Sequence, residues 1–128
     1  MLRADGRDLV VISGQAAIDP AGSVVGETIE EQAELTLRNC FTQLRSAGAE
    51  PADAFKVNVF VTDLALWSRF NAVYQRMMPE PRPARTAVAA GLLVEVELWA
   101  ALDHEARGAT KAHDAMKARH AGAGGGAA

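Results

Sequence analysis

Two runs of alternating side chains, residues 84–90 and 92–102, constrain the fold of this chain more than any other feature. A period of two is typical of β-strands that bury one face. A three-residue turn at Ala89-Ala90-Gly91 would join the runs into a hairpin, and Gly91 suits the left-handed position of such a turn. The two positions 85 and 95 are symmetric about Ala90, so this hairpin predicts Arg85 directly opposite Glu95.

The predicted hairpin sorts its side chains onto two faces, because successive strand residues point to opposite sides. One face is nearly all apolar and predicts core: Thr86, Val88, Val94, Val96, Leu98 and Ala100. The other carries polar groups and a tryptophan: Arg85, Ala87, Glu95, Glu97 and Trp99. An unpaired guanidinium is costly to bury, so an arginine on a strand must meet an anion or water. The second face therefore predicts a site or a subunit interface.

The rest of the sequence alternates between strand and helix patterns. Thr28 and Glu31 form a capping-box pattern ahead of a helix that ends near Gly48, and Asp63 precedes a second helical pattern. The remaining apolar runs predict strands over residues 9–18, 23–25 and 55–62. The order is ββαβαββ, which predicts an α+β fold with both helices packed on one face of a mixed sheet.

Length and composition favour one folded domain. The chain has 128 residues, of which 49% are hydrophobic, and no apolar run approaches the roughly 20 residues that span a bilayer. We expect a domain over residues 1–103 and a low-complexity, flexible tail over residues 104–128, which ends in Gly and Ala. The start lacks a signal-peptide pattern and Cys40 is the only cysteine, so cytoplasm is the expected compartment and no membrane partner is expected.

The inventory of side chains excludes several chemistries. All three histidines, His104, His113 and His120, lie in the tail, so the predicted domain cannot hold a Ser-His or Cys-His catalytic unit. The same count, with one cysteine, argues against a metal site. Residues 1–103 carry 9 basic and 14 acidic side chains, a net charge of −5. That sign disfavours nucleic acid as a partner, because phosphate contacts dominate such binding.

Six short motifs in this order resemble the reactive intermediate deaminase family, also called RidA or YjgF. They are Val11-Ile12-Ser13-Gly14-Gln15, Glu31-Gln32, Arg38-Asn39, Asn71-Ala72-Val73-Tyr74, Pro83-Ala84-Arg85-Thr86 and Val94-Glu95-Val96-Glu97. The resemblance covers residues 6–102 and implies a chorismate-mutase-like fold, a homotrimer and sites between neighbouring subunits. It also implies hydrolysis of reactive enamines and imines, such as 2-aminoacrylate, to 2-keto acids and ammonia, with no metal or organic cofactor.

The resemblance also implies a role for individual residues. Arg85 would hold the substrate carboxylate, which suits the two-point geometry of a guanidinium. Glu95 would position or polarise the attacking water. Ser13 and Gly14 would line the pocket, and Asn71 would orient its wall or the substrate.

Alternatives stay open on the sequence alone. Arg85 and Glu95 could form only a cross-strand ion pair. Family members have a tyrosine near the N-terminus that reaches the pocket, whereas Tyr74 is the only tyrosine here, which favours a non-catalytic ligand-binding or regulatory trimer. A ribonuclease is a third interpretation, against which the net charge of −5 argues.

Overall fold

The computed structural model of the protein describes residues 2–4, 7–91 and 93–103, so the predicted tail lies outside the described residues. Five strands, two α-helices and two short 3-10 turns follow one another along this part of the chain. They are β1 (Leu2–Ala4), β2 (Arg7–Ala16), α1 (Ile29–Ser46), a 3-10 turn (Pro51–Asp53), β3 (Ala54–Val61), a second 3-10 turn (Leu64–Leu66), α2 (Trp67–Met77), β4 (Ala84–Ala89) and β5 (Val94–Asp103).

The strands form one sheet in the order β1-β2-β5-β3-β4. The pairs β1–β2, β2–β5 and β3–β5 are antiparallel, whereas β3 and β4 run parallel, so the sheet is mixed. Helix α1 packs on β2 and β5, and α2 packs beside α1 on the same face. The predicted ββαβαββ order and the single helix-covered face are both confirmed.

One of the predicted strands is replaced by another. Residues 23–25 make only an isolated bridge, between Ile18 and Val24, rather than a strand of the sheet. The chain instead begins the sheet with Leu2–Ala4, which pairs with Arg7–Leu9 of β2. A three-residue run carries too little periodicity to be recognised in sequence.

Helix α1 begins where its capping box predicts. The backbone N–H of Glu31 donates to Thr28 Oγ1 (3.2 Å), and Glu31 Oε2 accepts from the N–H of Glu27 (2.7 Å) and more weakly from that of Thr28 (3.4 Å). These bonds satisfy donors that the first helical turn leaves without a partner. The apolar stripe of α1 then faces the sheet and is buried: Ile29, Ala33, Leu37, Cys40, Phe41 and Leu44.

The core lies between the two helices and the sheet. Alternate residues of β3 and β5 point into it with no more than about 1% exposure: Val57, Val59, Val61, Val94, Val96, Leu98 and Ala100. Three residues of α2, Phe70, Val73 and Tyr74, complete it from the other side. The predicted core residues of the last strand are thus confirmed.

The predicted hairpin between β4 and β5 is wrong. Strand β3 lies between them, and Arg85 pairs with Val57 of β3 rather than with Glu95. The connection crosses the end of β3, where the N–H of Ala90 donates to the carbonyl of Val61 (2.6 Å). Strands lie about 4.8 Å apart, so a short connection is long enough to pass over one intervening strand.

The different pairing reverses the predicted face of β4. Arg85 and Ala87 lie on the helix-covered side, because they pair with the buried Val57 and Val59. Thr86 and Val88, predicted as core, are exposed on the other side. Side chains of β4 do alternate between the two faces, but the strand with which β4 pairs decides which of them face the core.

The sheet face without helices is called the open face. It mixes apolar, charged and amide side chains on four neighbouring strands, and several of its large apolar groups are more than 40% exposed, among them Val11, Val88 and Trp99. Its other members are Lys56, Asn58, Phe60, Thr86, Glu95 and Glu97.

Within the described ranges, neither helix is long and apolar enough to cross a membrane.

Candidate functional site

Arg85 is half-buried on the edge strand β4 and faces helix α2. Its Nη1 donates to Asn71 Oδ1 (2.7 Å). Its Cζ lies 4.4 Å from the ring centroid of Trp67 and 4.4 Å from that of Tyr74. Burial lowers the pKa of Arg85 from its ordinary value, and the nearby Tyr74 opposes that change. The guanidinium is therefore held against α2 by two aromatic rings and an amide. Among the described residues, no carboxylate forms a hydrogen bond or ion pair with it.

The local sequence explains why α2 presents these groups together. Trp67, Asn71 and Tyr74 are spaced four and three residues apart, so they lie along one side of the helix. The 3-10 turn before α2 is fixed by Asp63, whose Oδ1 accepts from the N–H of Ala65 (2.9 Å). The predicted cap is thus present, although it caps the short turn and α2 itself begins at Trp67.

Glu95 lies on the open face, where Gly14 makes room for it. The β2–β5 pairing shifts between Ile12 and Gln15, so Ser13 and Gly14 form a bulge opposite this part of β5. A Cβ built on Gly14 would overlap Glu95 Oε1 and lie 2.8 Å from Glu95 Cδ. Only a residue without a side chain lets the carboxylate lie against the backbone here.

The structure separates the predicted site residues into two groups. Arg85 pairs with Val57 and Glu95 pairs with Phe60, so the two are two strands apart and three residues apart along the sheet. Sheet geometry puts their Cα atoms about 14 Å apart, and their side chains point to opposite faces of the sheet. We call Arg85, Asn71, Trp67 and Tyr74 the arginine half-site, and Glu95, Gly14 and Ser13 the glutamate half-site. The cross-strand ion pair between Arg85 and Glu95 is excluded.

Other polar groups of the open face have partners of their own. Asn58 Nδ2 donates to Glu97 Oε1 (2.6 Å), and Lys56 Nζ donates to Thr86 Oγ1 (2.8 Å). These bonds cross neighbouring strands, and Asn58 gives the Glu97 carboxylate a hydrogen-bond partner within its own subunit. Trp99 packs edge-on against Phe55, with ring centroids 6.4 Å apart.

A separate cleft of about 340 Å³ lies between the end of β2, the turn after it and α1. Asn39 lines it and donates to the carbonyls of Ala16 (2.9 Å) and Ile18 (3.1 Å). Gly14 is the one predicted site residue that lines it.

In the part of the chain that the structure describes, no group of three or more His, Cys, Asp or Glu side chains could hold a metal ion.

Sequence reasoning missed two members of the arginine half-site. In the sequence, Trp67 and Tyr74 belong to an apolar helical pattern, which is typical of packing and core residues. Their spacing of seven residues, with Asn71 between them, was the available signal. This spacing indicates a binding surface for Arg85 only when the packing of β4 against α2 is known.

The mixed sheet and its two helices define a chorismate-mutase-like α+β fold. Residues 4–102 match the family described as endoribonuclease L-PSP. The chain belongs to this family, which is the RidA/YjgF family that the six motifs resemble.

Three proteins illustrate the similarity. The mitochondrial protein mmf2 of Schizosaccharomyces pombe is 47% identical over 83 residues, which are 65% of this chain and 65% of that protein. The chloroplastic Reactive Intermediate Deaminase A of Arabidopsis thaliana is 32% identical over 101 residues, 74% of this chain and 54% of its own length. The crystal structure of RidA from the Antarctic bacterium Psychrobacter sp. PAMC 21119 is 33% identical, with a TM-score of 0.69 over 77% of this chain and 83% of that one.

Proposed function

We propose that this protein hydrolyses reactive enamines and imines of the 2-aminoacrylate type to 2-keto acids and ammonia. The observation that carries the proposal is the state of Arg85: a half-buried, oriented guanidinium that bonds only a neutral amide among the described residues. Such a cation is suited to a carboxylate ligand, because charge-assisted two-point contacts are stronger than neutral hydrogen bonds. The similarity to Reactive Intermediate Deaminase A supports the same chemistry.

In the proposed reaction, Arg85 binds the substrate carboxylate and leaves the adjacent C=N carbon facing water. Glu95 orients that water and accepts a proton as the oxygen adds to the carbon. That proton passes to the nitrogen, which gives a carbinolamine. The hydroxyl proton of the carbinolamine then passes through Glu95 to the amino nitrogen, so that the C–N bond breaks and ammonia leaves as the carbonyl forms. An enamine such as 2-aminoacrylate enters this path by first tautomerising to the imine. Orientation and electrostatics are enough for the acceleration, because imines already hydrolyse in water. No cofactor takes part in this scheme.

The proposed site needs two copies of the chain. Arg85 and Glu95 lie on opposite faces of one sheet, so one substrate can contact both only if they come from different subunits. We propose a homotrimer in which the arginine half-site of one subunit meets the glutamate half-site of its neighbour. The open face, with Trp99 and Val11 exposed, supplies apolar area for such contacts.

The test is keto-acid release in the presence of a dehydratase that generates 2-aminoacrylate. Arg85→Lys keeps the charge but loses the two-point geometry, so we expect turnover to fall a hundredfold or more, from two hydrogen bonds of about 1.5–3 kcal/mol each. Arg45→Lys is the matched control, because Arg45 also lies over an aromatic ring and bonds a side chain, far from β4. Near-normal turnover in Arg85→Ala would contradict the proposal.

A non-catalytic ligand-binding or regulatory trimer is the second candidate. The chain's one tyrosine, Tyr74, packs on Arg85, so the chain has no second tyrosine to offer to a pocket. Binding of 2-keto acids without any turnover would favour this candidate.

A ribonuclease is a third class, and RNA cleavage by rigorously purified protein would support it against the charge argument. Cytoplasmic location stays a prediction, since the names of two relatives place them in organelles.

A further inference from the structure

Arg85 is flanked by two aromatic rings that the proposed function does not use. Trp67 and Tyr74 are seven residues apart on α2, two helical turns, which corresponds to a rise of about 10 Å. Each ring centroid lies 4.4 Å from Arg85 Cζ. The guanidinium therefore contacts two rings that come from positions two turns apart on one helix.

The third contact, a hydrogen bond with Asn71, limits rotation of the Arg85 guanidinium. Asn71 lies on the same helix, between the two rings, and its Oδ1 accepts from Nη1 (2.7 Å). One N–H edge of the guanidinium is thereby occupied. With two rings in contact with Cζ and Nη1 bonded to Asn71, the other N–H groups are the part of the guanidinium left for a ligand.

We propose that Trp67 and Tyr74 are positioning residues that clamp the Arg85 guanidinium by its faces, so that its open N–H edge is presented in the geometry a carboxylate requires. This inference rests on the proposed carboxylate role of Arg85. A free arginine side chain loses rotamer freedom when it binds a ligand, which costs affinity. A clamped guanidinium has already lost that freedom, so its contacts contribute more to binding.

The clamp is supported from behind. Tyr74 is 1% exposed and packs against Phe70, with ring centroids 6.0 Å apart. Phe70 is fully buried and also packs against Trp67, at 5.5 Å. Both rings of the clamp thus pack against one core aromatic ring, Phe70, which limits their movement away from the guanidinium.

The experiment measures binding of pyruvate, a small 2-keto acid, by calorimetry or NMR titration of the full chain. We expect Trp67→Leu to weaken binding about tenfold, because one cation–π contact and part of the clamp are lost. Trp67→Phe, which restores a ring, should recover most of the affinity. Phe41→Leu is the matched control, since it removes a buried ring that also lies under an arginine, Arg45, away from the site; we expect its affinity to be that of the unmodified protein.

A second readout follows the clamp directly. The Arg85 Nε–H resonance of the unmodified protein should be shifted by the ring currents of the two aromatics, and Trp67→Leu should remove most of that shift. If Trp67→Leu does not fold, Trp67→Met replaces it with another apolar, helix-compatible side chain. A purely structural role for Trp67 would lower stability without changing pyruvate affinity.

The outcomes separate this inference from the proposed function. Equal affinity in the unmodified protein and in Trp67→Leu overturns the clamp and leaves the carboxylate role of Arg85 intact. No pyruvate binding by the unmodified protein overturns the carboxylate role, and the clamp inference with it. Weakened binding in Trp67→Leu with recovery in Trp67→Phe supports both.

Discussion

At the residue scale, Tyr74 combines a core position with a place beside the arginine. Its hydroxyl is buried and bonds no other atom among the described residues. Burial raises the pKa of Tyr74, and the charges of Arg85 and Arg82 oppose this only in part. A raised pKa means that the neutral phenol is the form that stabilises the fold.

Titration of Tyr74 can be observed without interference, because it is the only tyrosine in the chain. We expect its tyrosinate absorbance to appear at a higher pH than that of a free tyrosine amide, whose pKa is about 10. The corresponding stability is fully present below the ordinary pKa and declines as pH rises through the raised one. Tyr74→Phe should show a smaller alkaline decline, to which the buried Cys40 thiol, whose pKa burial raises to about 12, still contributes. A midpoint at or below that of the free amide would refute the burial argument.

Gly14 is the second residue whose role can be isolated. Gly14→Ala places a methyl group where the Glu95 carboxylate now lies, and the carboxylate, at the end of a flexible side chain, must move. We therefore expect keto-acid formation to fall at least tenfold while the melting temperature changes little. Gly91→Ala is the control, because a Cβ there meets nothing within 4 Å. Equal activity in both variants would mean that the position of Glu95 does not matter.

At the element scale, the helix starts follow from local chemistry. Thr28→Ala removes the side-chain acceptor of the α1 capping box, and we expect it to cost about 1 kcal/mol of unfolding free energy. Thr42→Ala, on the exposed surface of the same helix, should be neutral or slightly stabilising, since alanine is the better helix former. Denaturant unfolding of both variants checks this, and an equal effect would show that the cap contributes nothing.

Also at the element scale, local sequence patterns predict some elements of the fold but not the pairing between strands. The start of α1 and the buried face of β5 depend on neighbouring residues, so the sequence predicts both. The pairing of β4 depends on which strand lies beside it, and alternation fits a hairpin with β5 as well as a parallel pair with β3. Arg85 and Glu95 could therefore be singled out, but their faces, and the rings around Arg85, could not.

At the scale of the whole molecule, the proposed site depends on how copies of the chain combine. One chain holds an arginine half-site beside α2 and a glutamate half-site on the open face, with the sheet between them. Each half-site is incomplete for the proposed reaction. A closed ring of three copies with head-to-tail contacts would join each arginine half-site to a neighbouring glutamate half-site.

The most direct test mixes two inactive variants, Arg85→Ala and Glu95→Gln, by refolding them together in equal amounts. Random assembly into trimers makes three quarters of them mixed, and each mixed trimer holds one intact site of three, so we expect about a quarter of the unmodified activity to return. Each variant refolded alone is the control and should stay inactive. Mixed protein as inactive as its parents, with mixed trimers confirmed by mass spectrometry, would contradict a site shared between subunits.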